Sequence, residues 1–278
     1  MQVVDAQIHI WAANTPERPW PARAHPHRDP PLEKDELLAE MDRAGVDRVI
    51  IVPPSWEGDR NDVALAAAAA HPARFAVMGR LDPLDPASRG RLRDWRQQPG
   101  MLGLRFTFHT PPLIPLLTEG HMDWVWKEAE DAGVPIYVLV RHPLVHLIDT
   151  VAERHPGLKL VMDHLSMPSD KTGPAAFAEF DQVLAIAKRP NVAAKASGMP
   201  RYAADTYPYP SIWPYLRQAY DAFGPQRLFW GTDITRTPCT YRQHVTLYTE
   251  EIPWLSAEDK DWIMGRGVCE WLGWRAAL

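Results

Sequence analysis

The chain has 278 residues, of which 46% are hydrophobic, and this length and composition are enough for a sizeable core. Its formal net charge of -5 comes from 35 acidic and 30 basic residues without a basic run, which argues against a nucleic-acid partner. Two cysteines make no disulfide framework, and neither a signal peptide nor a long apolar run is visible, so we expect a cytoplasmic protein without membrane contact.

The first predicted strand is VVDAQIHIW, residues 3–11, an apolar run that carries polar residues at alternate positions. Side chains of a strand alternate between its two faces, so Asp5, Gln7 and His9 share one face. One face of an otherwise buried strand is therefore polar.

Strands and helices alternate along the rest of the chain. We expect further strands at 47–54, 75–81, 101–108, 135–140, 158–165, 191–198 and 227–233. Helical patterns intervene at 32–45, 61–72, 87–98, 121–133, 144–156, 175–188 and 211–224, with more helix after Thr240.

The order of these elements predicts the fold class. Eight nearly continuous apolar strands, each followed by a helix, indicate parallel strands covered on both faces. The number of strands and the length of the chain match an α/β protein of the (β/α)8 TIM-barrel type better than a doubly wound open sheet, which would need fewer strands. No linker divides the chain, so we expect a single domain over residues 1–278.

Polar residues concentrate where the predicted strands end. In a TIM barrel the carboxyl ends of the strands surround the active site, so these residues are functional candidates. They are Gln7 and His9, Arg105 and His109, Arg141 and His142, Asp163 and His164, Lys195 and Ser197, and Asp233.

Four motifs in this order, DAxxHxW, DHLSMP, KASGMPR and WGTD, resemble the amidohydrolase superfamily, in particular the lactonase and decarboxylase branch called amidohydrolase family 2. The resemblance covers essentially the whole chain. It places the family's strand 1 His-x-His on Gln7 and His9, a further histidine on His164 with His142 as the strand 5 candidate, and an aspartate on Asp233.

The resemblance also implies a choice about metal. Members with a mononuclear metal would use His9, His164 and Asp233 as ligands, but Gln7 replaces the first strand 1 imidazole with a neutral, weakly basic amide. We therefore expect either no metal or one weakly held, zinc-like divalent cation. Without a metal, Asp233 would act as the base, while His9 and His164 would polarise the scissile carbonyl.

Other candidates concern the substrate. Arg105 lies within an apolar stretch, where a guanidinium is costly unless an anion meets it, so it is a candidate carboxylate anchor. Lys195, Ser197, Arg201, Tyr202, Gln7 and His142 complete the candidate binding set. Internal pairing of Lys195 with Asp163 or Asp233 is the alternative, and Asp233 as a simple helix cap is another.

These residues predict a hydrolase that opens a lactone or cyclic ester of a carboxylated compound by attack of water. Non-oxidative decarboxylation of an aromatic acid and a non-catalytic binding barrel are the alternatives. The expected partner is a small, cyclic, carboxylated substrate. A homodimer is possible because Trp and Tyr are frequent in the loops at the mouth, as they are at protein interfaces.

Overall fold

The computed structural model describes residues 1–21 and 24–275. Eight parallel strands form one sheet in the order β1 to β8, so each strand pairs with its neighbours in the chain. They are β1 Val4–Ile8, β2 Arg48–Ile51, β3 Phe75–Gly79, β4 Met101–Phe108, β5 Ile136–Val140, β6 Leu160–Met162, β7 Val192–Ser197 and β8 Leu228–Gly231. The α/β TIM-barrel prediction is confirmed.

Helices cover the outside of this barrel in the described residues. They are α1 Lys34–Ala44, α2 Asp62–Ala70, α3 Ile114–Thr118, α4 Asp123–Ala132, α5 Val145–Arg154, α6 Asp181–Ala185, α7 Trp213–Phe223, α8 Tyr241–Thr246, α9 Ala257–Asp261 and α10 Gly267–Leu272. Their apolar faces and the outward side chains of the strands form the main core, in which Leu37, Ile148 and Leu216 are buried. None of these helices is long and apolar enough to cross a membrane.

Two predicted helices differ from the structure. The segment expected at 87–98 forms two short 3-10 turns, Pro86–Ser88 and Arg91–Gln97, because Gly90 between them has a left-handed φ of 78°. The helix expected at 175–188 is α-helical over α6 alone, with 3-10 turns on either side. Neither change moves a strand end.

Asp5 joins the first and last strands of the barrel. Its Oδ1 accepts hydrogen bonds from the backbone N–H groups of Gln7 and Thr232, both at 2.9 Å, and Oδ2 accepts from Tyr241 at 2.9 Å. Just beyond β8, the backbone N–H of Asp233 donates to the Gln7 carbonyl at 2.9 Å. The buried carboxylate thus holds Gln7 and Asp233 side by side.

Candidate active site

His9 lies at the end of β1 with its ring orientation fixed from both sides. Its Nδ1 is 2.6 Å from the Val52 carbonyl, which can only accept, so Nδ1 carries the proton. On the other side, Lys195 can only donate, and its Nζ binds Oε1 of Gln7. The Gln7 amide nitrogen therefore faces Nε2 of His9 at 3.2 Å, which makes that nitrogen an acceptor.

Asp233 follows β8 in a left-handed conformation, with φ 50°. It precedes a 3-10 turn, but its side chain makes no capping hydrogen bond, so the helix-cap alternative does not describe its contacts. Instead Oδ1 is 3.5 Å from Nε2 of His9, and the carboxylate is almost fully buried. Within the described chain Oδ1 has no hydrogen-bond donor, so two acceptors face each other across a short gap.

His164 follows β6 rather than lying on it, because the strand ends at Met162. Three successive residues, His164, Leu165 and Ser166, have left-handed φ values between 50° and 54°, a conformation uncommon for residues other than glycine. This sharp turn directs the imidazole into the barrel mouth, where Nδ1 is 2.8 Å from Oγ of Ser197. Ser197 is fully buried and contacts His164, which gives it a role in orienting that ring.

Lys195 and Arg105 are paired inside the protein. Nζ of Lys195 is 2.7 Å from Oδ1 of Asp163, and Nε of Arg105 donates to Oδ2 of the same carboxylate at 3.1 Å. Lys195 also lies over the ring of Tyr137 at 3.7 Å and is fully buried. The internal-pairing alternative for Lys195 therefore describes the structure, and contact between Lys195 and a substrate stays a prediction.

Burial sets the protonation states of the site. It lowers the pKa of His9 to about 4 despite the nearby Asp233 charge, and it lowers the pKa of His164 to about 4 in the same way. Burial alone would raise the pKa of Asp233. In acid, however, His9, His164 and His27 become protonated, and their charges hold the pKa of Asp233 at about 2. At neutral pH the carboxylate is ionised and both imidazoles are neutral.

A pocket of about 30 Å³, room for roughly one water molecule, lies at the barrel mouth beside Asp233 and His164. Its wall carries three guanidinium groups, those of Arg141, Arg201 and Arg236, whereas Asp233 is the one acidic residue among those that line it. Since the histidines are neutral, the lining is net positive. Arg201 and Tyr202 of the candidate set lie in this wall.

Three further residues lie at or near this pocket. Arg141, one of the strand-end candidates, lines it, and its Nε donates to the His109 carbonyl at 2.6 Å. His27, in the long loop after β1, has its ring 5.5 Å from that of His9 and 4.5 Å from that of Trp56. Arg236 was not singled out because it lies three residues beyond Asp233, in a loop with no motif.

Two predicted binding residues lie away from this pocket. His142 is buried, but it lines a separate cavity of about 250 Å³. Arg105 lines another cavity, on the side of β3 and β4. The positions of His142 and Arg105 therefore do not favour contact with a substrate in the Asp233 pocket, and such contact stays a prediction.

The donor set does not fit a resident metal ion. In residues 1–21 and 24–275, no group of three His, Cys, Asp or Glu side chains is arranged to hold one. The Gln7 oxygen is bound to Lys195, so the amide turns an N–H group toward the nitrogen of His9 that a metal would need. His9 and Asp233 are close enough to contact one ion, but zinc sites in proteins use at least three protein ligands.

Comparison with known proteins agrees with this architecture. The amidohydrolase family model matches residues 4–266. An L-fucono-1,5-lactonase from Burkholderia ambifaria is 28% identical over 248 residues, which cover 83% of this chain and 79% of that protein. A 4-sulfomuconolactone hydrolase from Rhizobium radiobacter is 24% identical over 237 residues, covering 82% of this chain and 74% of that protein.

A solved structure extends the likeness to the whole fold. The zinc-bound crystal structure of an amidohydrolase from Burkholderia multivorans superposes with a TM-score of 0.81 at 21% identity. The superposition covers 98% of this chain and 99% of that one. At this level of identity the likeness concerns the fold.

Proposed function

The chain belongs to the amidohydrolase family and is a hydrolase, and we propose that it opens a lactone bearing an anionic group by attack of a water molecule bound by both Asp233 and His9. The observation that carries the proposal is the pair of facing acceptors, Oδ1 of Asp233 and Nε2 of His9, 3.5 Å apart and buried. A water molecule beside the pair can donate one hydrogen to Oδ1 and the other to Nε2, whose lone pair it shares with the Gln7 N–H, and direct its own lone pair toward a substrate carbonyl.

The reaction then needs a single proton to move. As the water oxygen bonds to the acyl carbon, Asp233 accepts the water proton, and the carbonyl π electrons move to oxygen. When the carbonyl re-forms, the bond between the acyl carbon and the ring oxygen breaks, and the proton passes from Asp233 to that oxygen. The product is the open hydroxy acid, and nothing is oxidised or reduced.

His9 and His164 take different roles in this scheme. The neutral His9 has its only proton on the Val52 carbonyl, so it acts as an acceptor that orients the water rather than as a donor to the oxyanion. Nδ1 of His164 lies 2.8 Å from the Ser197 hydroxyl and 3.4 Å from the Ser197 carbonyl, so each tautomer has a partner. In the tautomer that we propose for catalysis, the nearer hydroxyl donates to Nδ1 and Nε2 carries an N–H for the developing oxyanion. In this proposal only His164 polarises the carbonyl, whereas the sequence led us to expect both imidazoles in that role.

The arginines at the mouth support an anionic substrate. Arg141, Arg201 and Arg236 line the pocket without an acidic partner other than Asp233 among its lining residues. A guanidinium binds a carboxylate or sulfonate through paired N–H donors. The two curated relatives are, by name, a fuconolactonase and a sulfomuconolactone hydrolase, which supports a lactone as the compound that is opened.

We further propose that catalysis does not depend on a tightly held metal. The support is the orientation of Gln7, whose N–H rather than its oxygen faces His9. Any divalent cation would be bound weakly.

Acid release during ring opening tests the proposed function. The substrates are a neutral sugar 1,5-lactone and a lactone of the same ring size that carries a carboxylate, assayed before and after treatment with a chelator. We expect the carboxylated lactone to be opened with a kcat/KM at least about tenfold higher, since one lost charged contact typically amounts to about 1.4 kcal/mol or more. Chelation should leave the rate within about twofold.

Three results would contradict the proposal. They are no ring opening of either lactone, equal rates for both, or release of carbon dioxide from an aromatic acid, the last of which would favour decarboxylation. Replacing Arg236 with Gln should remove most of the preference for the carboxylated lactone. The matched variant Arg43→Gln, an exposed arginine of α1 that pairs with Glu40, should keep it.

A further inference from the structure

His27 contacts both chain segments that carry the reacting pair. It lies in the loop between β1 and α1, and its ring is 5.5 Å from that of His9, which directly follows β1. Its Nδ1 is 2.7 Å from the hydroxyl of Thr235, which lies two residues after Asp233 in the turn that follows β8. One side chain of a loop thus joins the ends of the first and last strands.

Aromatic packing fixes the orientation of the His27 ring. The ring of Trp56 lies 4.5 Å from it with the planes at 65°, and the ring of Trp11 lies 6.2 Å away. Both tryptophans are buried, and Trp56 also packs on His9 at 6.0 Å. Edge-to-face contacts between rings at such distances are favourable. They hold Nδ1 of His27 directed at Thr235.

The loop that carries His27 is anchored on both sides of this residue. Before it, Nε of Arg18 donates to the buried carboxylate of Glu57 at 2.8 Å. Directly after it, the guanidinium of Arg28 donates to both carboxylate oxygens of Glu36 in α1, each at 2.9 Å. Hydrogen bonds between a guanidinium and a carboxylate fix geometry as well as charge. The bond to Thr235 therefore comes from a restrained segment.

The turn after β8 holds Asp233 in a conformation that depends on contacts around it. Asp233 has a φ of 50°, and a left-handed residue other than glycine persists where its surroundings hold it. Its N–H donates to the Gln7 carbonyl at 2.9 Å, and its carbonyl accepts from the Arg236 N–H at 2.8 Å. Thr235 lies within the turn that this second bond closes. A shift of Thr235 would therefore move the Asp233 carboxylate relative to His9.

We propose that His27 is a positioning residue for the hydrolysis, which holds Asp233 beside His9 through its hydrogen bond with Thr235. The inference rests on the proposed function, because it concerns the same pair of acceptors. Neither His27 nor Thr235 lines the Asp233 pocket, so His27 acts through the turn rather than by contact with the substrate.

Removing the hydrogen bond from either side tests this role in lactone opening. His27→Phe keeps a ring against Trp56 but removes Nδ1, and Thr235→Val removes the hydroxyl. Each should lower kcat about tenfold and leave KM within about threefold, since a small displacement of a catalytic group slows the chemical step. The loss stays moderate because a second contact, between Thr237 and His244 at 2.8 Å, still holds the turn.

Two comparisons separate this bond from unrelated effects of the variants. The double variant should lose at most about twofold more than either single variant, because both changes break one bond. Thr235→Ser keeps the hydroxyl and should keep most of the rate. The control His25→Phe changes an exposed histidine of the same loop and should leave kcat and KM unchanged.

An Asp233→Asn background separates positioning from direct contact with the substrate. Because His27 acts through Asp233, His27→Phe should change the residual kcat of this variant by less than about twofold. A further loss of about tenfold in this background, or a raised KM with wild-type kcat in His27→Phe alone, would overturn the positioning role.

Hydrogen exchange tests the bond without any turnover. His27→Phe should speed exchange at the backbone amides of Asp233 and Arg236 at least about tenfold and leave the amides of β4 unchanged. Unchanged exchange at the turn, or faster exchange with wild-type kcat, would overturn the positioning role. Faster exchange in the variant, with no lactone opening by the wild-type protein, would overturn the proposed function and leave the contact between loop and turn established.

Discussion

Two buried polar clusters lie side by side at the mouth of this barrel, and their carboxylates differ in the groups that contact them. In the Asp163 cluster, a carboxylate contacts Lys195 at 2.7 Å and Arg105 at 3.1 Å. In the Asp233 cluster, a carboxylate faces the acceptor nitrogen of neutral His9 at 3.5 Å, and its Oδ1 has no donor in the described chain.

We infer from this difference that the Asp163 cluster has a supporting role and that the Asp233 cluster takes part in the reaction. A network of buried ion pairs fixes positions, because moving any member would leave a buried charge without a partner. The Asp163 cluster is tied through Lys195 to Gln7, and Gln7 in turn fixes the acceptor state of His9. The paired cluster therefore holds His9 in place beside the unsatisfied Oδ1 of Asp233, where a water molecule can bind.

Breaking the Asp163 cluster should have the largest effect on stability. Replacing Lys195 with Met leaves a buried carboxylate with Arg105 alone, and loss of one partner of a buried pair typically lowers the free energy of unfolding by about 3–5 kcal/mol. Urea unfolding measures this loss of free energy of unfolding. The control Lys188→Met removes an exposed pair with Asp149 and should change the free energy by less than about 1 kcal/mol. Equal effects of the two variants would refute the supporting role.

Acid should destabilise the protein through its buried histidines. The pKa of His9 and of His164 falls from 6.5 to about 4, and that of buried His244 to about 3. Between these values and 6.5 the unfolded chain binds more protons, so stability is lost as pH falls through that range. Asp5, whose pKa burial raises to about 6, acts in the opposite direction, but it is a single group.

We therefore expect the free energy of unfolding to fall by at least about 2 kcal/mol between pH 7 and pH 5. Urea unfolding across this range measures the slope, and His244→Gln should reduce it. Constant or rising stability on acidification would contradict the neutral state of these imidazoles.

A smaller effect, on kcat, should follow from removing the side-chain hydroxyl that orients the His164 ring. Ser197→Ala removes the hydroxyl 2.8 Å from Nδ1 and should lower kcat about tenfold, roughly 1.4 kcal/mol, with little change in KM. Ser197→Thr keeps the hydroxyl and should restore most of the rate. An Ala variant with wild-type kcat would show that Ser197 does not position His164.

The fold and the strand-end candidates were predictable from sequence because they depend on local pattern. The alternation of apolar strands and helices predicts the barrel, and the positions of the strand ends single out His9, His164 and Asp233 as candidates. The sequence pattern does not show which side chains of distant strands pair with each other. The buried charge of Arg105 indicated an anionic partner, but only the fold shows that Asp163, 58 residues away, is that partner.

Residues of the loops were the hardest to place. Arg141 and Arg236 line the pocket because of the paths of the loops after β5 and β8, which have no periodicity to read. His27 reaches His9 from a long proline-rich segment, where its Nδ1 lies 2.7 Å from the Thr235 hydroxyl. Loop conformation depends on such tertiary contacts, so neither position nor chemistry could be assigned from the sequence.

A double-mutant cycle on Asp233 and His9 tests the central claim most directly. If one water molecule is held by both residues, Asp233→Asn and His9→Asn should each lower kcat for lactone opening about 10³-fold, and the double variant should lose at most about tenfold more. All three should keep the wild-type circular dichroism spectrum, as should the control Asp35→Asn on the exposed face of α1, which should also keep its rate. Independent losses that multiply to about 10⁶-fold, or a single variant within about tenfold of wild type, would contradict the account.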